Sequence, residues 1–241
     1  MRGLFLVARR ELGSYLNGYW GFLIVSVLLF GQGLIFNAFA LGSTPRVSSD
    51  VLEDFFYLSF GFTVAAAVLL TMRLVAEEQQ TGTIVLIDSS PLSDWQVVGG
   101  KYLSAVLVIA VMLALSAYMP ALIFVNGKVS LGHIGAGYLG VLLAGSATAA
   151  IGTFTSSITR YQIVAAILGG VIVFVFLLAW LLGRVTDPPI DDIWSYMSLF
   201  DRHFQPFMRG RINVEDIVFY VSVSFVFLLL STRLMSARRW R

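Results

Sequence analysis

The stretch IVAAILGGVIVFVFLLAWLLG, Ile163 to Gly183, runs without a single Asp, Glu, Lys, Arg or His. About 20 mostly apolar residues in a helix are enough to cross the hydrocarbon core of a bilayer. Five further stretches share that character: about Tyr19 to Leu41, Phe55 to Val75, Tyr102 to Val125, Ile134 to Phe154 and Ile217 to Leu234. Within the third, Pro120 is expected to kink the outer half, because proline removes a helical hydrogen bond and crowds the preceding turn. The fourth carries Gly135, Gly137, Gly140, Ala144, Gly145, Ala147 and Gly152, small residues that let helices approach closely. Composition agrees, with 58% hydrophobic residues, 12% charged and a mean hydropathy of +0.84. Soluble domains carry about a quarter of their residues charged. The expected fold is an all-α integral membrane protein with six transmembrane helices, filling residues 1–241 as one transmembrane domain.

Orientation follows from the basic residues. Ten of them (Arg2, Arg9, Arg10, Arg73, Lys101, Arg160, Arg233, Arg238, Arg239 and Arg241) fall on the side of both termini. Arg46, Lys128, Arg184, Arg202, Arg209 and Arg211 fall on the other, beside carboxylates such as Asp187, Asp191, Asp201 and Asp216. Positively charged short loops stay inside, so both termini are expected to be cytoplasmic. The first apolar residues are interrupted at Arg9-Arg10-Glu11 with no small-residue cleavage site after them, and they read as mature protein, not as a signal peptide.

Three segments do not span. Over 1–18, Leu4, Phe5, Ala8 and Leu12 recur at helical spacing with Arg9, Arg10 and Glu11 on other faces, the pattern of a helix lying in the inner interface. Over 185–214, Ile193, Trp194, Met197, Phe200, Phe204, Phe207 and Met208 recur at steps of three and four, which predicts an outer amphipathic segment resting on or dipping into the outer leaflet. The third, 76–100, is a cytoplasmic connection with an apolar run, Ile84 to Ile87, between the breakers Gly82 and Pro91. That predicts one short helix of about two turns. Ser93 with Gln96 then forms a capping box opening the next helix. A short apolar helix on that face suits docking into a groove of a soluble partner; lying against the membrane interface is the alternative.

Much chemistry is excluded. Cysteine is absent, so there are no disulfides, thiolate metal sites or thiol catalysis. The span middles hold no ionisable residue, which removes the buried groups that proton relays need and disfavours ion-coupled carriers, although a Na⁺-coupled carrier can use broken helices and backbone carbonyls instead. Gly99-Gly100-Lys101 is no phosphate loop, lacking the earlier glycine and the following Ser or Thr. His133 and His203 are expected at the outer surface, far apart and without ligand spacing to a carboxylate. Gln32 and Asn37 in the first span read foremost as interhelical hydrogen-bonding groups and secondarily as pathway residues. No catalytic residue, metal or cofactor is expected in the chain.

The connection Glu77-Glu78-Gln79-Gln80-Thr81-Gly82-Thr83-Ile84-Val85-Leu86-Ile87-Asp88-Ser89-Ser90-Pro91-Leu92-Ser93 resembles the signature Glu-Glu-x-x-x-Gly-Thr-x-Glu-x-Leu-Leu-x-x-Pro-Leu-Ser of ABC-2 type permeases, the membrane subunits of ATP-binding-cassette transporters. Arg9 to Leu16 followed by Gly18-Tyr19 is similar to that family's interfacial helix, and Ile151 to Ala165 to its turn between the fourth and fifth spans. Within the family the outer segment from His203 to Tyr220 is similar to the gliding-motility-associated permease type. One departure is Val85, which stands where the family often has a carboxylate; Asp88, three residues on, shares its helix face and is expected to substitute for it.

The resemblance implies a permease that couples ATP hydrolysis by a separate nucleotide-binding subunit to translocation, with export expected. It implies a prokaryotic inner-membrane location, a second permease subunit (identical or related), and ATP and Mg bound by the ATPase partner. Coupling would fall to Glu77, Glu78, Gly82, Thr83, Ile84, Leu86, Ile87, Asp88 and Pro91, with Arg9, Arg10 and Glu11 on the interfacial helix. The path would be lined by the first, second and fifth spans. The alternative is an accessory anchor or regulator of an ATPase that transports nothing; an integral membrane enzyme would need clustered polar residues at membrane depth.

Overall fold

The computed structural model describes residues 2–40, 47–188 except 127–129, and 190–239. Leu41, Arg46, Lys128 and Arg241, used above for span ends and orientation, lie outside the described residues. The described chain is helical. An N-terminal helix α1 (Arg2–Asn17) precedes α2 (Tyr19–Ile35), which ends in a π-helical turn over Phe36–Ala40. Next come α3 (Ser48–Thr71), the short α4 (Ala76–Thr81) and α5 (Ile84–Asp88), α6 (Asp94–Ser116) and α7 (Tyr118–Asn126). The chain continues with α8 (Leu131–Ile158), α9 (Gln162–Val185), the short α10 (Ile190–Tyr196) and α11 (Gln205–Met208), and α12 (Val214–Arg239). Among the described residues, six of the resulting helical stretches are long and apolar enough to cross a membrane, as expected.

Helix α8 is the centre, packed by α3, α6, α9, α11 and α12. Its small residues make this possible. At Gly145 a Cβ would lie 2.7 Å from Thr63 Cγ2, and at Gly152 it would run into Thr71 Oγ1. Four buried hydroxyls on these helices are satisfied internally: Thr71, Thr148, Thr153 and Ser157 each donate to the carbonyl four residues back. No partner across the helix seam is then needed. Pro120 breaks the third span where its chemistry requires. Four residues back lies Ser116, the last residue of α6, and the chain resumes as α7 after Ala117.

Both termini lie at one end of the bundle, which we call the terminal end. Leu4 and Val7 of α1 rest on Gly99 and Gly100 of α6, and Ser236 Oγ near the end of α12 donates to Asp94 Oδ2 at the start of α6.

At the far end the 185–214 segment departs from expectation. It is not one continuous helix. Ser198 Oγ accepts from Asp201 N, a local bond that competes with helix, and Pro206 opens a separate helix, α11. The chain thus turns inward and plugs the bundle, with Leu199, His203, Phe204 and Phe207 fully buried while Ile190 and Ile193 on α10 stay exposed. At Gly140 of α8 a Cβ would lie 2.5 Å from that of Phe207.

The two histidines, expected at the surface, are the fasteners of this plug. His133 Nε2 donates to the Met208 carbonyl at 2.7 Å. His203 is 0% exposed, stacked on Phe219 at 3.8 Å; its Nδ1 meets Asp216 Oδ1 at 2.8 Å and its Nε2 donates to the Tyr196 carbonyl at 2.9 Å. Asn213 Nδ2 donates to the other Asp216 oxygen at 2.9 Å.

Two outcomes follow from this packing. Gly152→Ala forces α3 from α8 and lowers stability by about 1–3 kcal/mol, as overpacking does. Gly61→Ala, with open space around it, leaves the thermal midpoint in detergent unchanged. In this cysteine-free chain, Ser198→Cys is shielded from a membrane-impermeant maleimide, and adding His203→Ala makes it reactive; continued shielding in the double variant would show that the pair does not hold the plug.

Candidate functional site

The terminal end gathers the segments singled out by sequence. Helix α3 stops at Thr71 and the chain turns through Met72–Val75 before α4. That turn is stitched by a single hydroxyl. Ser156 Oγ, near the end of α8, accepts from Val75 N and Ala76 N at 3.0 Å each and donates to the Met72 carbonyl at 3.0 Å. It serves as a cap supplied from another helix, satisfying orphan groups of α4's first turn and of α3's end. Gln79 Nε2 adds a bond to the Ser157 carbonyl.

The turn brings Leu74 and Glu78 onto Lys101, which is 1% exposed at the start of α6. Lys101 Nζ lies 2.8 Å from Glu11 Oε1 of α1, 2.8 Å from Glu78 Oε1 of α4 and 2.7 Å from the Leu74 carbonyl. An ammonium has three protons to give, and each finds an acceptor on a different element. Burying a charge is tolerable only when it is paired and hydrogen-bonded in this way. Helix α1, the connection after the second span and the third span are therefore tied at one atom.

Neighbouring contacts extend the tie. Tyr15 OH of α1 donates to the Leu70 carbonyl of α3 at 2.7 Å. Burial, reinforced by Glu11 and Glu77 and opposed by Arg73, pushes that phenol far above its ordinary pKa, which keeps it a donor. Arg73 pairs with Glu77 at 2.8 Å and lies over the Tyr15 ring. A cavity of about 290 Å³ opens here, lined by Arg10, Glu11, Arg73, Glu77, Glu78 and Lys101 among others.

Beyond α4 the chain passes Gly82, whose φ of +75° places it in the left-handed region that glycine favours, with no atom near its absent Cβ. The single short helix expected between Gly82 and Pro91 is α5, and a second one, α4, stands before it. On α5, Ile84 packs against the core, whereas Val85 and Leu86 are 67% and 71% exposed. Thr83 Oγ1 lies 2.9 Å from Thr81 Oγ1, across the glycine. Pro91 is exposed beyond α5, and the capping box expected at Ser93 and Gln96 is formed at α6. The side chains of Ile87 and Asp88 lie outside the described residues, so the expected substitution of Asp88 for a carboxylate at Val85 finds no geometry here.

Other expected residues fall elsewhere. Arg9 and Arg10 are exposed on α1, and of the two only Arg10 lines this cavity among the described residues. Gln32 is buried and donates from Nε2 to Ser59 Oγ at 2.7 Å, joining α2 to α3, while Asn37 is exposed on the π-helical turn. Lys101 is the residue that sequence reading passed over. It was legible only as a basic marker of the inner side, since neither Glu11 nor Glu78 is near it in sequence. Among the described residues no group of three or more His, Asp or Glu converges to hold a metal ion.

Compared with protein families, residues 15–185 match the family described as ABC-2 family transporter protein. A comparison with curated proteins gives no match. The match covers most of the chain and takes in the turn after α3, Gly82, α5, Lys101 and Ser156. The chain belongs to the ABC-2 transporter family, the permeases that form the membrane part of ATP-binding-cassette transporters.

Proposed function

We propose that this chain is the permease subunit of an ABC exporter, driven by a separate ATPase that docks on α5. The carrying observation is the Lys101 tie, because it gives a movement at α5 a rigid route into the bundle. Val85 and Leu86 offer an exposed apolar surface on a short helix, the kind of element that seats in a partner's groove. Gly82 is the pivot between α5 and α4. Glu78 on α4 holds Lys101, so a push on α5 reaches α6 through the ammonium, α3 through the Leu74 carbonyl and α1 through Glu11. ATP and Mg are held by the partner, whose closure tilts the spans as bodies between inward- and outward-open states.

In this reading the terminal end is cytoplasmic, the membrane is a prokaryotic inner membrane, and two permease subunits assemble with their ATPases. A symmetric pair is the default, and the likeness of the outer segment to the gliding-motility-associated type is compatible with a distinct second permease.

Tagged chain extracted from native membranes in mild detergent brings down ATPase activity, and scrambling Gly82 to Ser89 abolishes that capture. An intact chain that reproducibly captures no ATPase overturns the reading. Lys101→Met tests the route. It strands Glu11 and Glu78 together, at a cost of about 3–5 kcal/mol, so it is combined with Glu11→Gln and Glu78→Gln to restore yield. The triple variant still captures the ATPase but loses about tenfold or more in permease-stimulated hydrolysis, a deficit of about 1.4 kcal/mol in coupling. Stimulation equal to wild type would remove Lys101 from the route.

A further inference from the structure

At the far end α2, α3, α9 and the chain after α10 line an open cavity of about 500 Å³, within the range of roughly 300–1,000 Å³ usual for small-ligand sites. Its walls include Leu28, Phe60, Phe62, Leu177 and Trp180. Gly61 also lines it, with nothing within 4 Å of where a Cβ would stand. The flanking helices turn large apolar side chains outward, Phe30 on α2 and Phe174 on α9, so the surroundings of the cavity are hydrocarbon-compatible.

One rim is different. Asp201 lines the cavity there, its Oδ1 accepting from Gln205 Nε2 at 3.1 Å. The Arg184 guanidinium lies 4.7 Å from the Trp180 ring centroid. Burial raises the Asp201 carboxyl pKa, with Arg184 and Gln205 pulling it back down. The site therefore has an apolar body and a carboxylate at one end, with the exposed Arg184 guanidinium outside its lining, over the ring of the lining residue Trp180.

A purely anionic headgroup would meet Asp201 unfavourably and a purely cationic one would meet Arg184 unfavourably; a headgroup bearing both signs satisfies both. We propose that this cavity binds a zwitterionic amphiphile, its ammonium at Asp201, its phosphate at Arg184 and its hydrocarbon against Phe60, Phe62 and Leu177. This deepens the permease reading, on which its meaning as the substrate class rests, while the binding itself is separable from ATPase docking.

The test uses the full chain in nanodiscs of phosphatidylglycerol, doped with a phosphatidylethanolamine probe carrying a diazirine in its acyl chain. A phosphatidylglycerol probe with the same chain runs in parallel. Ethanolamine-probe crosslinks concentrate on peptides holding Phe60 to Ala65 and Leu177 to Trp180, about fivefold above those on the exposed face of α12, equivalent to roughly 1 kcal/mol of preference. Gly61→Leu fills the cavity and removes that concentration. Asp201→Asn, which keeps an acceptor for Gln205, brings the ethanolamine probe down to the glycerol probe's level. Labelling spread evenly over α2, α9 and α12 means annular lipid alone and overturns the proposal. So does an Asp201→Asn variant with an unchanged ratio between probes. ATPase capture is scored on the same preparations: capture without concentrated labelling sinks the lipid site alone, and concentrated labelling without capture sinks the docking reading alone.

Discussion

The terminal end of the bundle depends on one buried ammonium. Lys101 is 1% exposed, and its three acceptors belong to α1, to the turn after α3 and to α4. A charge in that position cannot be left by one partner without a cost of several kcal/mol. None of these elements can shift alone. The short pieces α4 and α5, too brief to be stable helices in isolation, owe their placement to this tie and to the Ser156 hydroxyl that closes the turn.

The far end repeats the device with different groups. There a plug without long helices is fixed by His203 against Asp216 and by His133 against the Met208 carbonyl. Between the two ends the spans pack through small residues, most of their buried hydroxyls bond within their own helices, and Gln32 with Ser59 adds a cross-helix bond. The division is physically sensible. In hydrocarbon an unsatisfied polar group is expensive and an apolar neighbour gives little net attraction, so close backbone approach does the packing. Charged fasteners are confined to the levels where loops must be pinned.

How much of this was legible in the sequence follows the same division. The spans were legible because twenty apolar residues have few alternatives, and their boundaries fell near chemical signals such as Pro120 and the Ser93–Gln96 capping box. Gly82 and Pro91 correctly bracketed α5. What failed were features decided by partners distant along the chain. The run Ile193, Met197, Phe200, Phe204, Phe207 has helical spacing, yet Ser198 and Pro206 divide it, and its aromatics are matched to Gly140 and Phe60 on other helices. His203 looked like a surface residue because Asp216 stands thirteen positions away. Lys101 looked like a topology marker because its carboxylates are 90 and 23 positions away. Only the folded chain brings them together.

The distribution of burial separates what can move from what cannot. The window of α8 is 61% buried inside the chain, whereas those of α2 and α9 are each 22% buried and that of α12 is 28%. A helix held on most sides by other helices has one arrangement; a helix held on one side can tilt at little cost in packing. The rigid set is therefore α8 with α3 and the start of α6, and the tie at Lys101 belongs to it. The less enclosed α2 and α9 border the far-end cavity and form its outer walls. The α3 wall, fastened through Thr63 and Thr71 to Gly145 and Gly152, stays in place. The space beside Phe60 is thus bounded by one firmly packed wall and two loosely packed ones.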